Sequence, residues 1–289
     1  MKIKILIPVY NDWKSVFKVL EEINDLDLNS EFRISVIIIN DASNHDLPDL
    51  EKSLKNIDSI KVLNMNKNQG HTRSIAVGLK YIFEKEDFDY AIPMDGDGED
   101  RPEEIKVFLD KVKNSKGKTF VGERVKRSEK TIFKICYQIH KLITLVFTGK
   151  SIKFGNYTCL SKSTVEKLIN EKATWNSFSG SLTKVDSDLS PIPSVRGPRY
   201  FGPSQMSFIK LIKHSLAIIS VFRKTFLIRS ALFIVTYILM IKSNASIITS
   251  LPLVLLLIAV YSVSNLALRE NMDEFKNSLN QIKNIDQIK

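Results

Sequence analysis

Cysteine is almost missing from this chain, with only Cys136 and Cys159 in 289 residues. That excludes a disulfide framework. Neither thiol has metal-ligand spacing, so both read as reduced core residues of a cytosolic domain. His45, His71, His140 and His214 also lack the short spacings of a metal site and read as surface or loop residues; His71 directly follows Gly70 and could meet a ligand bound there. The N-terminus lacks a long apolar run: Met1 to Ile7 is cut by Pro8, which argues against a signal peptide and keeps the first domain in the cytosol. No internal repeat or long low-complexity segment interrupts the chain. Nor is there a recognised nucleic-acid module, so the formal charge of +10 is not assigned to a nucleic-acid partner.

Charge is missing in places that matter. Phe226 to Ile241 carries only Arg229, and Ala245 to Leu268 carries none, so the two spans read as a membrane hairpin. The second reaches the roughly 20 residues needed to cross a bilayer. The first is shorter; Arg229 near its start can snorkel to the interface, and a re-entrant segment is the alternative. Arg196 to Arg229 holds seven Lys or Arg and no acid, while the turn between the spans offers only Lys242. Positive-inside bias then puts both ends of the hairpin in the cytoplasm. A second basic stretch, Lys111 to Lys153, has twelve Lys or Arg against two acids, which suits anionic head groups and phosphate-bearing substrates beside a bilayer.

Against this basic background stands one acidic knot, Asp95-Gly96-Asp97-Gly98-Glu99-Asp100, directly after the apolar run Tyr90 to Met94. Crowded carboxylates raise one another's pKa unless a cation shares them, and a hard divalent ion completed by a diphosphate is the usual answer. Mg²⁺ or Mn²⁺ is the expected cofactor. The plain alternative is a solvated turn opening a helix from Pro102 to Val112, with Asp100 as its N-cap.

Upstream, apolar runs at Lys2 to Pro8, Arg33 to Ile39, Ile60 to Met65 and Tyr90 to Met94 alternate with helical stretches at Trp13 to Asn24, Leu47 to Asn56 and Thr72 to Glu84. This βαβα pattern predicts an α/β fold with a mostly parallel sheet flanked by helices and a ligand crevice at the carboxyl ends of its strands. Tyr10-Asn11-Asp12, Asn40-Asp41-Ala42-Ser43 and the acid loop each follow a strand, so three loops are expected to converge there. Taken singly, Asn11-Asp12 could equally be a helix cap and Asp41-Ala42-Ser43 a simple turn.

In this order, the blocks resemble the family 2 glycosyltransferases with a GT-A (Rossmann-like) fold, specifically the polyprenyl-phosphate group that includes dolichol-phosphate mannose synthase and bactoprenol glucosyltransferase. Pro8-Val9-Tyr10-Asn11-Asp12 is similar to that family's Pro-x-Tyr-Asn-Glu, and Asn40-Asp41-Ala42-Ser43 to its Asp-Asp-Gly-Ser. Asn68-Gln69-Gly70 is similar to Asn-x-Gly, and Asp95 to Glu103 to Asp-Ala-Asp-Leu-Gln-Asp-Pro-Pro-Glu. Val121-Gly122-Glu123-Arg124, Gly155-Asn156-Tyr157 and Arg196 to Ser204 resemble the later blocks, the last being Arg-x-x-Arg-x-x-Gly-x-Ser. The resemblance implies that Pro8, Tyr10, Asn11, Asp12, Asp41, Gly70 and Asp95 line a UDP- or GDP-sugar pocket, and that Asp97, helped by Asp95 and Glu99, holds the metal. It also implies that Arg124, Arg127, Arg196 and Ser204 meet an acceptor phosphate, with Asp97, Arg124 and Arg199 as the catalytic set. For Arg124 and Arg127 the plain alternative is a solvated basic face. Ala42, Asn40, Glu99, Asn156 and Gln205 depart from the pattern, the last two in the acceptor half.

The implied layout is a cytosolic GT-A domain over 1–205, an amphipathic juxtamembrane helix over 206–224, a transmembrane hairpin over 225–268 and a polar cytosolic tail over 269–289. The helix over 206–224 either lies in the interface or packs as a core helix. The tail, with four basic and four acidic residues, reads as a short polar helix, open to self-association into a homo-oligomer or to plain solvation. The implied reaction is metal-dependent, inverting sugar transfer from a UDP- or GDP-sugar to a polyprenyl phosphate at the cytoplasmic (inner) membrane. The rivals are transfer to a lipid-linked saccharide, with Asp100 or Glu123 as general base, and a silent nucleotide-sugar-binding scaffold. Trp175 reads as a lid or core aromatic.

Overall fold

In the computed structural model, which describes residues 1–50, 52–126, 131–203 and 207–289, strand β1 (Lys2–Val9) buries every residue after Lys2. A strand hidden on both faces belongs in the middle of a parallel sheet covered by helices. Helix α1 (Trp13–Asn24) then turns one stripe inward, Trp13, Val16, Val19, Leu20 and Ile23. Strands β2 (Arg33–Asn40) and β3 (Ile57–Met65), helix α2 (His71–Lys85) and strand β4 (Tyr90–Pro93) complete a doubly wound half. β1 pairs in parallel with β2 and β4, and β2 pairs in parallel with β3.

Helix α3 (Glu104–Asn114), strand β5 (Phe120–Lys126), helix α4 (Thr131–Thr148), strand β6 (Phe154–Ser161) and helix α5 (Lys162–Ile169) follow. Next come helix α6 (Phe178–Val185) and strand β7 (Ser190–Val195). The sheet order is β7-β5-β6-β4-β1-β2-β3-β8, where β8 (Ile282–Gln287) comes from the end of the chain. β6 runs antiparallel between β4 and β5, so the sheet is mixed but mostly parallel. α1 and α3 seal one face and α2, α5 and α6 the other. At the foot of the sheet, Lys4 and Lys61 converge on Glu86, at 2.7 and 2.6 Å; Lys4 is buried and the Glu86 side chain is 8% exposed.

Helices α7 (Phe208–Ser220), α8 (Arg223–Ile241) and α9 (Ile247–Ala267) form a separate apolar cluster. Both α8 and the span starting at Ile247 are long and apolar enough to cross a membrane, with mean hydropathies of 1.7 and 2.3. The turn between them is closed by a capping box of Ser246 and Thr249. α7 divides the two roles expected for it. Its start exposes Phe208, Ile209 and Ile212, while Ala217 to Ser220 are buried. Gly180 of α6 allows that approach, because a Cβ there would lie 2.8 Å from Val221 Cγ2.

Three local expectations are corrected. The described residues of Leu47 to Asn56 form no helix. Leu54 is buried, Leu47 and Leu50 lean on the same core, and Asn56 bonds Asn24 through its backbone N–H and side-chain amide, so irregular chain already meets the segment's apolar demand. Asp100 does not cap α3, whose N-cap is Glu103; its buried carboxylate accepts the Asp95 N–H instead. Arg229, for its part, is exposed and donates to the carbonyls of Leu145 and Val146, the negative end of α4. The tail is not only a polar helix: after the short α10 (Met272–Lys276), β8 pairs antiparallel with β3. An otherwise open sheet edge and the fully buried Phe275 draw it back.

The structure also gives α4 an apolar face. Ile139, Leu142, Ile143 and Val146 are exposed, while Phe147 packs on Phe226 and Phe233 of α8. Counting charges between Lys111 and Lys153 gave no warning of it.

Candidate functional site

The loops after β1, β2 and β4 converge as expected. Asn11 takes its backbone N–H to Ser43 Oγ at 2.9 Å, and its Oδ1 accepts the Asn44 N–H at 2.7 Å, stitching the first loop to the second. Asn11 and Ala42 both sit at positive φ, 57° and 58°. At Ala42 the left-handed conformation is one that glycine adopts freely and alanine at a cost of about 1 kcal/mol, so the departure from glycine keeps the backbone shape and adds strain. Pro8 is buried at the end of β1, whereas Tyr10 stands half-exposed at the rim.

Asp41 is buried, with both carboxylate oxygens engaged: Oδ1 accepts the Gln69 N–H at 2.7 Å and Oδ2 the Gly70 N–H at 2.8 Å. Burial outweighs these bonds and pushes its pKa above the ordinary carboxyl value. Asp41 thus holds the turn that opens α2, and Gly70, at φ 87°, lies in that turn.

The acid loop is the electrostatic centre. Asp97 Oδ1 accepts the Glu99 N–H, and its Oδ2 lies 2.6 Å from Arg199 Nη1. The other arm of Arg199 pairs with Asp12, so one guanidinium joins the loops after β1 and β4. Arg196 pairs with Glu99 and lies 3.8 Å from Asp95. The segment carrying both arginines is laid along the acid loop by two backbone bonds, Gly197 N to Glu99 O and Tyr200 N to Asp97 O, each 2.9 Å. Gly98 is needed there, since a Cβ would come within 2.5 Å of the Tyr200 ring, and its φ is 89°.

On the other side of Asp95 lie His71 Nε2, 3.2 Å from Oδ1, and the Asn156 amide nitrogen, 2.7 Å from the same imidazole nitrogen. Arg124 packs against Gly155, where an added Cβ would sit 2.5 Å from Nη2, and its charge reaches Asp95 and Asp100. Burial works against the Asp95 charge, but His71, Arg196 and Arg124 outweigh it and hold its carboxyl well below the ordinary range. Burial and the charge of Asp95 push Asp97 up to about 6 and Asp100 up to about 7. Burial pulls His71 down, yet the surrounding acids more than reverse that and leave its pKa raised.

Of the expected site residues, the structure gathers Asp12, Asp95, Asp97, Glu99, Arg124, Arg196 and Arg199 around one loop. Arg127, Ser204 and Gln205 lie outside the described residues, as does the Cys136 side chain. Trp175 is a core residue. Among the described residues, no three His, Cys, Asp or Glu side chains meet as a ready-made metal cluster. The donor chemistry nevertheless fits a hard cation. Asp95 and Asp97 offer two carboxylates on one loop, their mutual repulsion shows in the raised Asp97, and such a pair is the protein share of a shell that phosphate oxygens and water complete. Glu99 is engaged by Arg196. Asn156 is the member that sequence reasoning did not place: it was visible only as a departure from a motif.

A model of the family described as Glycosyl transferase family 2 matches residues 4–177. Curated relatives include the undecaprenyl-phosphate 4-deoxy-4-formamido-L-arabinose transferases of Proteus mirabilis (strain HI4320) and Klebsiella pneumoniae (strain 342), 26% and 25% identical over 226 residues. In both cases 73% of this chain is covered, and the chain spans 64% of the relative's length. Among solved structures, glucosyl-3-phosphoglycerate synthase from Mycobacterium tuberculosis, in complex with Mn²⁺, UDP-glucose and phosphoglyceric acid, superposes with a TM-score of 0.57. It covers 78% of this chain and 79% of its own at 11% identity, a likeness of fold.

Proposed function

The chain belongs to glycosyl transferase family 2, and from that premise we propose that it moves a sugar from a UDP- or GDP-sugar to a polyprenyl phosphate at the cytoplasmic face of a membrane. The observation that carries this reading is the crevice where Asp95 and Asp97 meet three arginines, Arg124, Arg196 and Arg199, in a chain that also carries two long apolar helices. The names of the undecaprenyl-phosphate relatives support the acceptor class.

Donor binding falls to the loops after β1 and β2 and the turn at Gly70, whose position Asp41 sets. Asp95 and Asp97 would hold Mg²⁺ or Mn²⁺ against the donor diphosphate, and the ion would supply charge compensation for the leaving group. Arg199 is placed to exchange carboxylate for phosphate, since its guanidinium already spans Asp12 and Asp97. Arg124 and Arg196 stand beside Asp95, where they can hold an incoming anionic phosphate. That acceptor is ionised at neutral pH, so alignment and charge compensation replace a strong general base, and attack opposite the leaving group inverts the anomeric carbon. The engagement of the two candidate bases supports this: Asp100 is buried on the Asp95 N–H, and Glu123 pairs with Lys153 at 2.9 Å.

The catalytic unit is then residues 1–205 completed by the tail's α10 and β8, with the amphipathic helix and hairpin attaching it to the bilayer. The exposed apolar faces of α4 and the start of α7 extend the lipid-facing surface beside α8 and α9. The deciding experiment gives purified protein undecaprenyl phosphate, Mg²⁺ or Mn²⁺ and a panel of radiolabelled UDP- and GDP-sugars. Label in organic-extractable lipid, lost on mild acid treatment, with EDTA and in Asp97→Asn, is the expected result. Nucleotide-sugar binding without lipid label across the panel would overturn the acceptor assignment.

A further inference from the structure

Behind the crevice, the segment that follows the hairpin reaches the first turn of α2. Glu274 of α10 accepts the Trp175 indole N–H at 2.9 Å and lies 3.3 Å from Arg73 Nη2. The Arg73 guanidinium sits over the Trp175 ring, 4.7 Å from its centroid, and the ring also stacks with the buried Phe275 at 5.4 Å. From this nest Arg73 reaches back one turn, donating from Nη1 to Gln69 Oε1 at 3.3 Å. Gln69 in turn supplies one of the two N–H groups that grip Asp41. The turn needs such outside support: Gly70, the N-cap of α2, has no side chain to cap it, and its φ of 87° is one of several it could adopt.

We propose that Glu274 is a positioning residue for the donor site. It fixes Arg73, Arg73 fixes Gln69, and the Gln69-Gly70-His71 turn is thereby held where Asp41 and the crevice require it. Nucleotide affinity then depends on whether the segment after the two apolar helices is docked. This deepens the proposed function and rests on the crevice being a nucleotide-sugar site. A side chain that acts in this way is worth a charge-assisted hydrogen bond to the turn, so its loss should weaken donor binding roughly five- to tenfold.

The test uses the full chain in lipid nanodiscs, with UDP and GDP titrated calorimetrically in the presence of Mn²⁺ and backbone hydrogen exchange followed by mass spectrometry. Glu274→Ala is expected to weaken nucleotide binding by that factor and to speed exchange selectively at residues 66–76. Glu274→Gln still accepts the indole N–H without the charge and should lose less. Gln69→Ala should weaken binding to a similar extent with α10 still protected, and the double variant should be little worse than either single one. If Glu274→Ala does not fold, Gln69→Ala carries the test alone. Wild-type affinity in Gln69→Ala or Glu274→Ala, or faster exchange spread over the whole chain, would reduce Glu274 to a structural contact. If the wild type binds neither UDP nor GDP, the nucleotide reading itself falls and this proposal goes with it.

Discussion

The two ends of the same strands hold opposite kinds of buried charge. At the foot, Lys4 and Lys61 flank Glu86; burial alone would raise that carboxyl, but the two ammonium groups outweigh it and hold it below its ordinary value. At the carboxyl end, Asp97 and Asp100 are pushed up to about 6 and about 7 although Arg124, Arg196 and Arg199 stand close by. The foot closes its charge balance within the chain. The other end does so less well, since burial and the charge of Asp95 make its neighbours harder to ionise. An acid cluster that ionises fully only around neutral pH is one an added cation or a rearranged guanidinium would relieve, and this separates a structural ion triad from a site that takes a ligand.

The difference can be broken by mutation. Glu86→Ala leaves Lys4 buried and unpaired, and should cost roughly 3–5 kcal/mol of stability, read as a lower denaturation midpoint, with nucleotide affinity unchanged. Loss of affinity at full stability would show that the foot is not merely structural. Asp97→Asn should do the reverse: transfer falls by a factor on the order of 10²–10³, while the thermal midpoint stays level or rises because a repelled carboxylate is gone.

The pH dependences should differ in sign as well. Glu86 ionises more readily folded than unfolded, so its contribution is present above the ordinary carboxyl value of 4.5 and is lost as pH falls. Asp97 and Asp100 keep protons in the fold that the unfolded chain releases near 3.8, so without metal their contribution declines as pH rises from there through about 6 to 7. Asp100→Asn should flatten that decline in thermal scans under EDTA, and Mn²⁺ should reverse it in the wild type. A wild-type curve that Mn²⁺ leaves unmoved would count against the acid loop as a cation site. The smallest effect is expected from Lys61→Met, about 1 kcal/mol or less in a denaturant titration, because Lys61 is partly exposed and Lys4 still pairs with Glu86.

Much of this was legible because function follows each strand immediately: Asp12, Asp41 and Asp95 come within a few residues of the buried ends of β1, β2 and β4. Local order is enough to place such loops. It was not enough for partners that only the sheet brings together. Arg199 finds Asp12 across 187 positions, and Asn156 reaches His71 only because β6 runs antiparallel beside β4. Leu47, Leu50 and Leu54 have helical spacing and do lean on the core, so the pattern was right about burial and wrong about the helix. In the tail, eight charges hid the buried Phe275 and the short run that becomes β8.

β8 also constrains the order in which the molecule can be made. Asn64 of β3 donates to Asp286, 222 positions later, so the outer edge of β3 stays open on the ribosome until both apolar helices have been synthesised. An open edge is a template for wrong pairing, and a contact this distant is slow to form. The sheet therefore cannot be completed before the two apolar helices exist, and a chain stalled or cut within α9 would carry an unfinished sheet and a Gly70 turn without its Glu274 support.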